Sequence, residues 1–189
     1  NAAPTEAKDY SFGGTLSYVD PYTGYEVTRQ LNPVTLTVKP SPLLNLEYFM
    51  QRNVMGDNPL TLDVVEPMEP AEFSLLINNV GYGDATNVRM VTEQPEIIDN
   101  EKGLLIDFEL LSSQLKGKDV TLALGGNVTT EFGTILAQST SYAQWKFQST
   151  LLGHFTDYKV EATHVTCYGN EELSLLNSVK IHELIHSLK

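Results

Sequence analysis

Apolar residues recur at every second position along most of the chain, while sustained stripes at a spacing of 3.6 residues are hard to find. A strand sends successive side chains to opposite faces, so this period is that of half-buried β-strands and predicts an all-β fold. The clearest runs are Phe73, Leu75 and Ile77; Leu104, Ile106, Phe108 and Leu110; Val120, Leu122 and Leu124; Ala143, Trp145 and Phe147; and Tyr158, Val160 and Ala162. Their neighbours Asp107, Glu109, Gln144 and Lys146 point the other way. Such one-sided alternation predicts antiparallel sheets with one dry face, two of them stacked into a sandwich. Trp145 is a core residue in this reading.

The turn chemistry divides the chain. Tyr10 to Val19, the turn Asp20-Pro21-Tyr22-Thr23-Gly24, and Glu26 to Lys39 read as a β-hairpin, with Val34, Leu36 and Val38 facing one way. Pro40-Ser41-Pro42 follows, and proline cannot donate to a central ladder, so a boundary is expected near residue 40. Two strands are marginal alone in water. Residues 1–40 are therefore expected either to pack on the main domain, 41–189, or to end a preceding module. Beyond the boundary Leu44 to Met50 alternates, and Gly56 to Glu72, rich in proline and acid, reads as a surface connection. Phe73 to Ile77 then runs into Asn78-Asn79-Val80-Gly81-Tyr82-Gly83-Asp84 and returns through Val88 and Met90, which predicts a second hairpin whose glycines supply positive φ.

Charge narrows the partners. The formal net charge is −12, with 12 scattered basic residues among 189, which argues against nucleic acid because phosphate binding needs clustered Lys and Arg. No apolar run approaches the roughly 20 residues of a membrane span, so membrane insertion is not expected. The single cysteine, Cys167, cannot close a disulfide within the chain and reads as a strand thiol. Asn1-Ala2-Ala3 resembles what tag cleavage leaves behind, so the chain is expected to be an excised segment of a longer protein.

The stretch Pro70 to Val88, ending in Asn79-Val80-Gly81-Tyr82-Gly83-Asp84-Ala85-Thr86-Asn87-Val88, resembles the cell-adhesion-related (CARDB-like) immunoglobulin-like repeats of bacterial and archaeal surface proteins, where a strand ends in an N-x-G-x-x-A-x-x-V turn; here Ala85 stands one residue later than that pattern places it. The resemblance covers about 20 residues and carries fold information rather than a binding residue. It implies an antiparallel immunoglobulin-like β-sandwich preceded by the N-terminal β-hairpin. By the same resemblance the chain is expected to be a non-catalytic structural or adhesive module of a large bacterial protein, extracellular or at the cell surface. Its partners would be neighbouring domains of the same polypeptide, with glycan or protein as external contacts, and no cofactor is expected.

One motif points elsewhere. His182-Glu183-Leu184-Ile185-His186 matches H-E-x-x-H, in which two histidines one helical turn apart bind zinc and the glutamate activates a water. That alternative, a zinc metallopeptidase fragment, needs a helix. Leu173, Leu175, Val179, Ile181 and Ile185 instead share the parity of a strand, on which two histidines four apart stand roughly 13 Å from each other, too far to share an ion.

Weaker constellations remain. Asp57, Asp63 and Glu66, with Glu69 and Glu72, crowd one connection and form a candidate calcium site without a D-x-D-x-D-G loop. His154, Asp157 and His164 lack a spacing that brings them into hydrogen-bond reach. A third alternative, a carbohydrate-binding module, requires exposed aromatics, for which Tyr18, Tyr22, Tyr25 and Tyr82 in or beside turns are the candidates.

Overall fold

The computed structural model describes residues 4–92, 108–120, 128–154 and 174–184, and among these it contains strands and no helix. The chain divides into two compact units, Asn1–Ser41 and Pro42–Lys189, at the Pro40-Ser41-Pro42 step.

The first unit is a folded-back ribbon of four short strands: β1 (Lys8–Phe12), β2 (Thr15–Val19), β3 (Glu26–Gln30) and β4 (Val34–Val38). β2 pairs antiparallel with β3, and outside them β1 pairs antiparallel with β4. The stretch Glu26 to Lys39, expected as one strand, is broken at Leu31-Asn32-Pro33. Proline lacks the N–H to continue the ladder, and the amide of Leu31 donates to the Gly14 carbonyl at 2.9 Å as the last link before the break. The extra residue shifts the register: partners are Lys8 and Val38 in the outer ladder but Thr15 and Gln30 in the inner one. Apolar positions are even-numbered in β1 and β4; in β2 Leu16 and Tyr18 are even while Val19 is odd, and Val27 of β3 faces Tyr18.

The tip is built by Asp20. Its carboxylate accepts from the amides of Tyr22 at 2.8 Å and Thr23 at 3.3 Å, and its carbonyl accepts from Gly24 at 2.8 Å. Gly24 sits at φ 69°, a conformation that a side chain would strain.

The second unit carries a six-stranded sheet in the order β10-β9-β12-β7-β5-β14. Its strands are β5 (Leu44–Gln51), β7 (Ala71–Asn79), β9 (Phe108–Leu115), β10 (Lys118–Val120), β12 (Ser139–Ser149) and β14 (Leu176–Leu184). A separate antiparallel pair, β8 (Ala85–Thr92) with β11 (Val128–Ile135), supplies residues to the same core. Two short strands, β6 (Asn53–Val54) and β13 (Gly153–His154), pair beside a smaller cluster of Val54, Ala71 and Phe147.

Alternation sorts the six-stranded sheet into a dry face and a wet one. Leu46 and Tyr48 of β5, Leu75 and Ile77 of β7, and Ala143 and Trp145 of β12 are buried. Phe132 and Ile135 of β11 and Ala85 of β8 complete that core. An aromatic ladder crosses three strands: Tyr48 stacks on Phe73 with centroids 5.7 Å apart, and Phe73 on Trp145 at 5.0 Å. The outer face is polar, with Glu72 bridging Lys146 at 3.2 Å and Gln144 at 3.0 Å, and Gln148 donating to Glu109 at 2.8 Å. The result is an all-β, antiparallel-rich, sandwich-like unit.

Several expectations fail in detail. β7 and β8 do not form a hairpin: β7 pairs with β5 and β12, whereas β8 pairs with β11. The segment 80–84 is an arch that carries the chain from one sheet to the other, and 136–138 is a second such arch from β11 to β12. Nor do Gly81 and Gly83 supply positive φ; the left-handed glycines among the described residues are Gly24, Gly117 and Gly133.

Asn79 holds the arches instead. Fully buried, its amide nitrogen donates to the carbonyls of Gly83 at 2.9 Å, Leu136 at 3.1 Å and Ile135 at 3.2 Å, while its oxygen accepts from the amides of Leu43 and Gly81 at 3.1 Å. Asp84 adds a bond from the Ala137 amide at 2.8 Å, and the Gln138 amide group reaches the Val80 carbonyl at 2.6 Å. A buried amide meeting this many partners satisfies backbone groups that neither sheet reaches.

The sheets are also not wholly antiparallel, because β14 lies parallel to β5, with Ile181 beside Tyr48. A parallel neighbour needs a long crossover rather than a tight turn, and nothing in the alternation of Val179 and Ile181 encodes direction. The run Leu104 to Leu110 continues into β9, but a bulge intervenes. Trp145 pairs with Ser113 and Phe147 with Leu110, so the inward parity changes between Leu110 and Ser113. Residues 104–107, 121–124 and 158–162 of the expected strands lie outside the described residues. At β9–β10 the two-residue turn Lys116-Gly117 has both residues at positive φ, 51° and 75°, the twist-matched hairpin geometry.

Candidate functional site

Three groups of side chains carry the chemical possibilities, and each has a definite place. His182 and Glu183 lie in β14, a strand, so the pair occupies successive positions that alternate between faces. Ile181 packs against the core, and His182 stands on the outer face, its ring stacked on Phe49 at 4.8 Å. Its Nε2 lies 3.0 Å from Glu47 Oε2 across the parallel ladder, and Glu183 pairs with Arg52 at 3.6 Å. His186 lies outside the described residues, as do Asp157, His164 and Cys167. Among the described residues no three His, Cys, Asp or Glu side chains are gathered to hold a metal ion.

The acidic connection is organised by its own carboxylates. Glu66 accepts from the Thr61 hydroxyl at 2.7 Å and the Asn58 amide at 3.0 Å, and Asp57 accepts from the Glu66 amide at 3.0 Å. The Thr61 hydroxyl, then the Asn58 N–H, hold the Glu66 carboxyl below the usual glutamate range. Asp57 and Glu66 are thus brought together, each bound to the loop's own donors. Glu72 belongs to the outer sheet face, paired with Lys146, and Asp63 is exposed. A nearby depression lined by Gln51, Asn53, Glu69 and Ala71 measures about 20 Å³, room for a water rather than an organic substrate.

The tyrosines separate. Tyr18 is on β2, and Tyr22 and Tyr25 flank the Asp20 turn, so three of the four gather at the tip of the N-terminal ribbon, while Tyr82 lies in the 80–84 arch of the other unit. Tyr22 is 96% exposed and Tyr25 76%, on a turn held by the Asp20 bonds. The amide of Tyr22, more than that of Thr23, keeps the Asp20 carboxyl below its ordinary range.

The side of β4 on which the sequence set Val34, Leu36 and Val38 is exposed. Tyr10 pairs with Leu36 and Phe12 with Val34, and paired residues share a face, yet all four are exposed. On the other side of that ladder Thr37 donates to Asp9 at 2.6 Å; in the β2–β3 ladder the Ser17 and Thr28 hydroxyls meet at 3.1 Å and Thr15 reaches Gln30 at 3.4 Å, on the side that also carries Val19. The signal was present as clean alternation in a segment too short to cover itself.

No helix among the described residues is long and apolar enough to cross a membrane. No family model matches the sequence, no curated protein matches it, and no solved structure matches the fold.

Proposed function

We propose that the chain is a non-catalytic, immunoglobulin-like structural or adhesive module of a large bacterial protein, extracellular or at the cell surface, that positions neighbouring domains. The supporting observation is where the reactive side chains are engaged. His182 meets Glu47, Glu66 meets Asn58 and Thr61, and Asp84 meets Ala137, so each tethers a strand or a loop within the fold. Side chains committed to the fold in this way serve a scaffold well, since a scaffold is valued for rigidity.

The test compares zinc retained after incubation and dialysis by the wild type, His182→Ala and His186→Ala. No stoichiometric zinc in any of them is the expected result. Stoichiometric zinc in the wild type, lost in both variants, would replace this reading with a metallopeptidase fragment.

A second reading rests on the tip. Tyr22 and Tyr25 present aromatic rings on a preorganised turn, the chemistry that stacks on the apolar face of a sugar ring or anchors a protein contact. Titration with oligosaccharides, followed by tyrosine emission, separates the two: saturable quenching abolished by Tyr22→Ala supports a glycan-binding tip, and no response leaves the scaffold role.

A further inference from the structure

No further inference is drawn: the strongest candidate, the patch of Leu60, Leu62, Val64 and Val65 left bare on the loop between β6 and β7, carries none, because nothing in the structure shows what covers it.

Discussion

In β12 and in β4 the same alternation leads to opposite ends. Ala143, Trp145 and Phe147 are buried, while Val34, Leu36 and Val38, spaced identically, are exposed. The difference does not lie in the strands. β12 has β7 on one side and β9 on the other, and residues of β8 and β11 close over its dry face; β4 has β1 alone. Period two assigns a side chain to a face, and only tertiary neighbours decide whether that face is dry. The two regions therefore answer mutation differently, and the contrast can be broken at either end.

The largest effect is expected at Trp145. Trp145→Ala removes the last ring of the Tyr48–Phe73–Trp145 ladder from a site that is 2% exposed and should cost about 4 kcal/mol in chemical denaturation. Trp145→Phe isolates packing from polarity. Its Nε1 has no hydrogen-bond partner among the described residues, so replacing the indole by a ring without an N–H loses volume but no bond among them, and about 1–2 kcal/mol is expected. A Phe variant as unstable as the Ala variant would mean that the N–H is satisfied in solution.

Asn79→Ala comes next, at about 3 kcal/mol by the same measurement. The substitution strands carbonyls of Gly83, Ile135 and Leu136 and amides of Leu43 and Gly81 together, at the point where both arches cross between sheets. Asn79→Asp sharpens the test: the carboxylate keeps the acceptor for Leu43 and Gly81 and removes the donor to three carbonyls, so it should be no better than alanine. A loss below about 0.5 kcal/mol in either variant would show that the arches are held by packing alone.

These residues also mark what the sequence could disclose. The dry face of β5, β7 and β12 was readable because Leu46, Ile77 and Trp145 alternate with polar neighbours and the sheet is buried on one side only. The arches were not. Asn78-Asn79-Val80-Gly81 has the composition of a hairpin turn, and composition is the same for a turn that rejoins its own sheet and one that leaves it; the distinction rests on Asn79 reaching Ile135, 56 residues away. The β9 bulge and the parallel placement of β14 were hidden for a related reason, since both are properties of a partner strand, Phe147 against Leu110 and Ile181 against Tyr48. Among the candidate site residues, the strand setting of His182 was legible from the parity of Val179 and Ile181, but its bond to Glu47 spans 135 residues and was not.

A smaller effect, in which the two regions should agree, concerns their loop carboxylates. Glu66 in one unit and Asp20 in the other both accept local N–H donors, and both are held below their ordinary range by those bonds. A depressed carboxylate stabilises its loop above the unfolded pKa, and that contribution disappears as pH falls through the folded one. Amide exchange at Asn58 and Tyr22 should therefore be protected at neutral pH and lose protection only below the usual carboxylate range. Glu66→Gln should remove the pH dependence at Asn58 and leave that at Tyr22 unchanged. Loss of protection already at pH values above the ordinary glutamate range would contradict the depressed state of Glu66.

The smallest effect is expected at a large, exposed ring of the N-terminal ribbon. Phe12 is 60% exposed, on a ribbon whose unit contains no buried apolar residue among those described, so Phe12→Ala removes a ring that has almost no core to leave. The melting of the other unit should change by less than about 0.5 kcal/mol, the range of ordinary surface substitutions, against about 4 for Trp145→Ala. An alanine variant that destabilises the dilute chain by more than 1 kcal/mol would place Phe12 in a core after all, and the contrast between the two regions would fall with it.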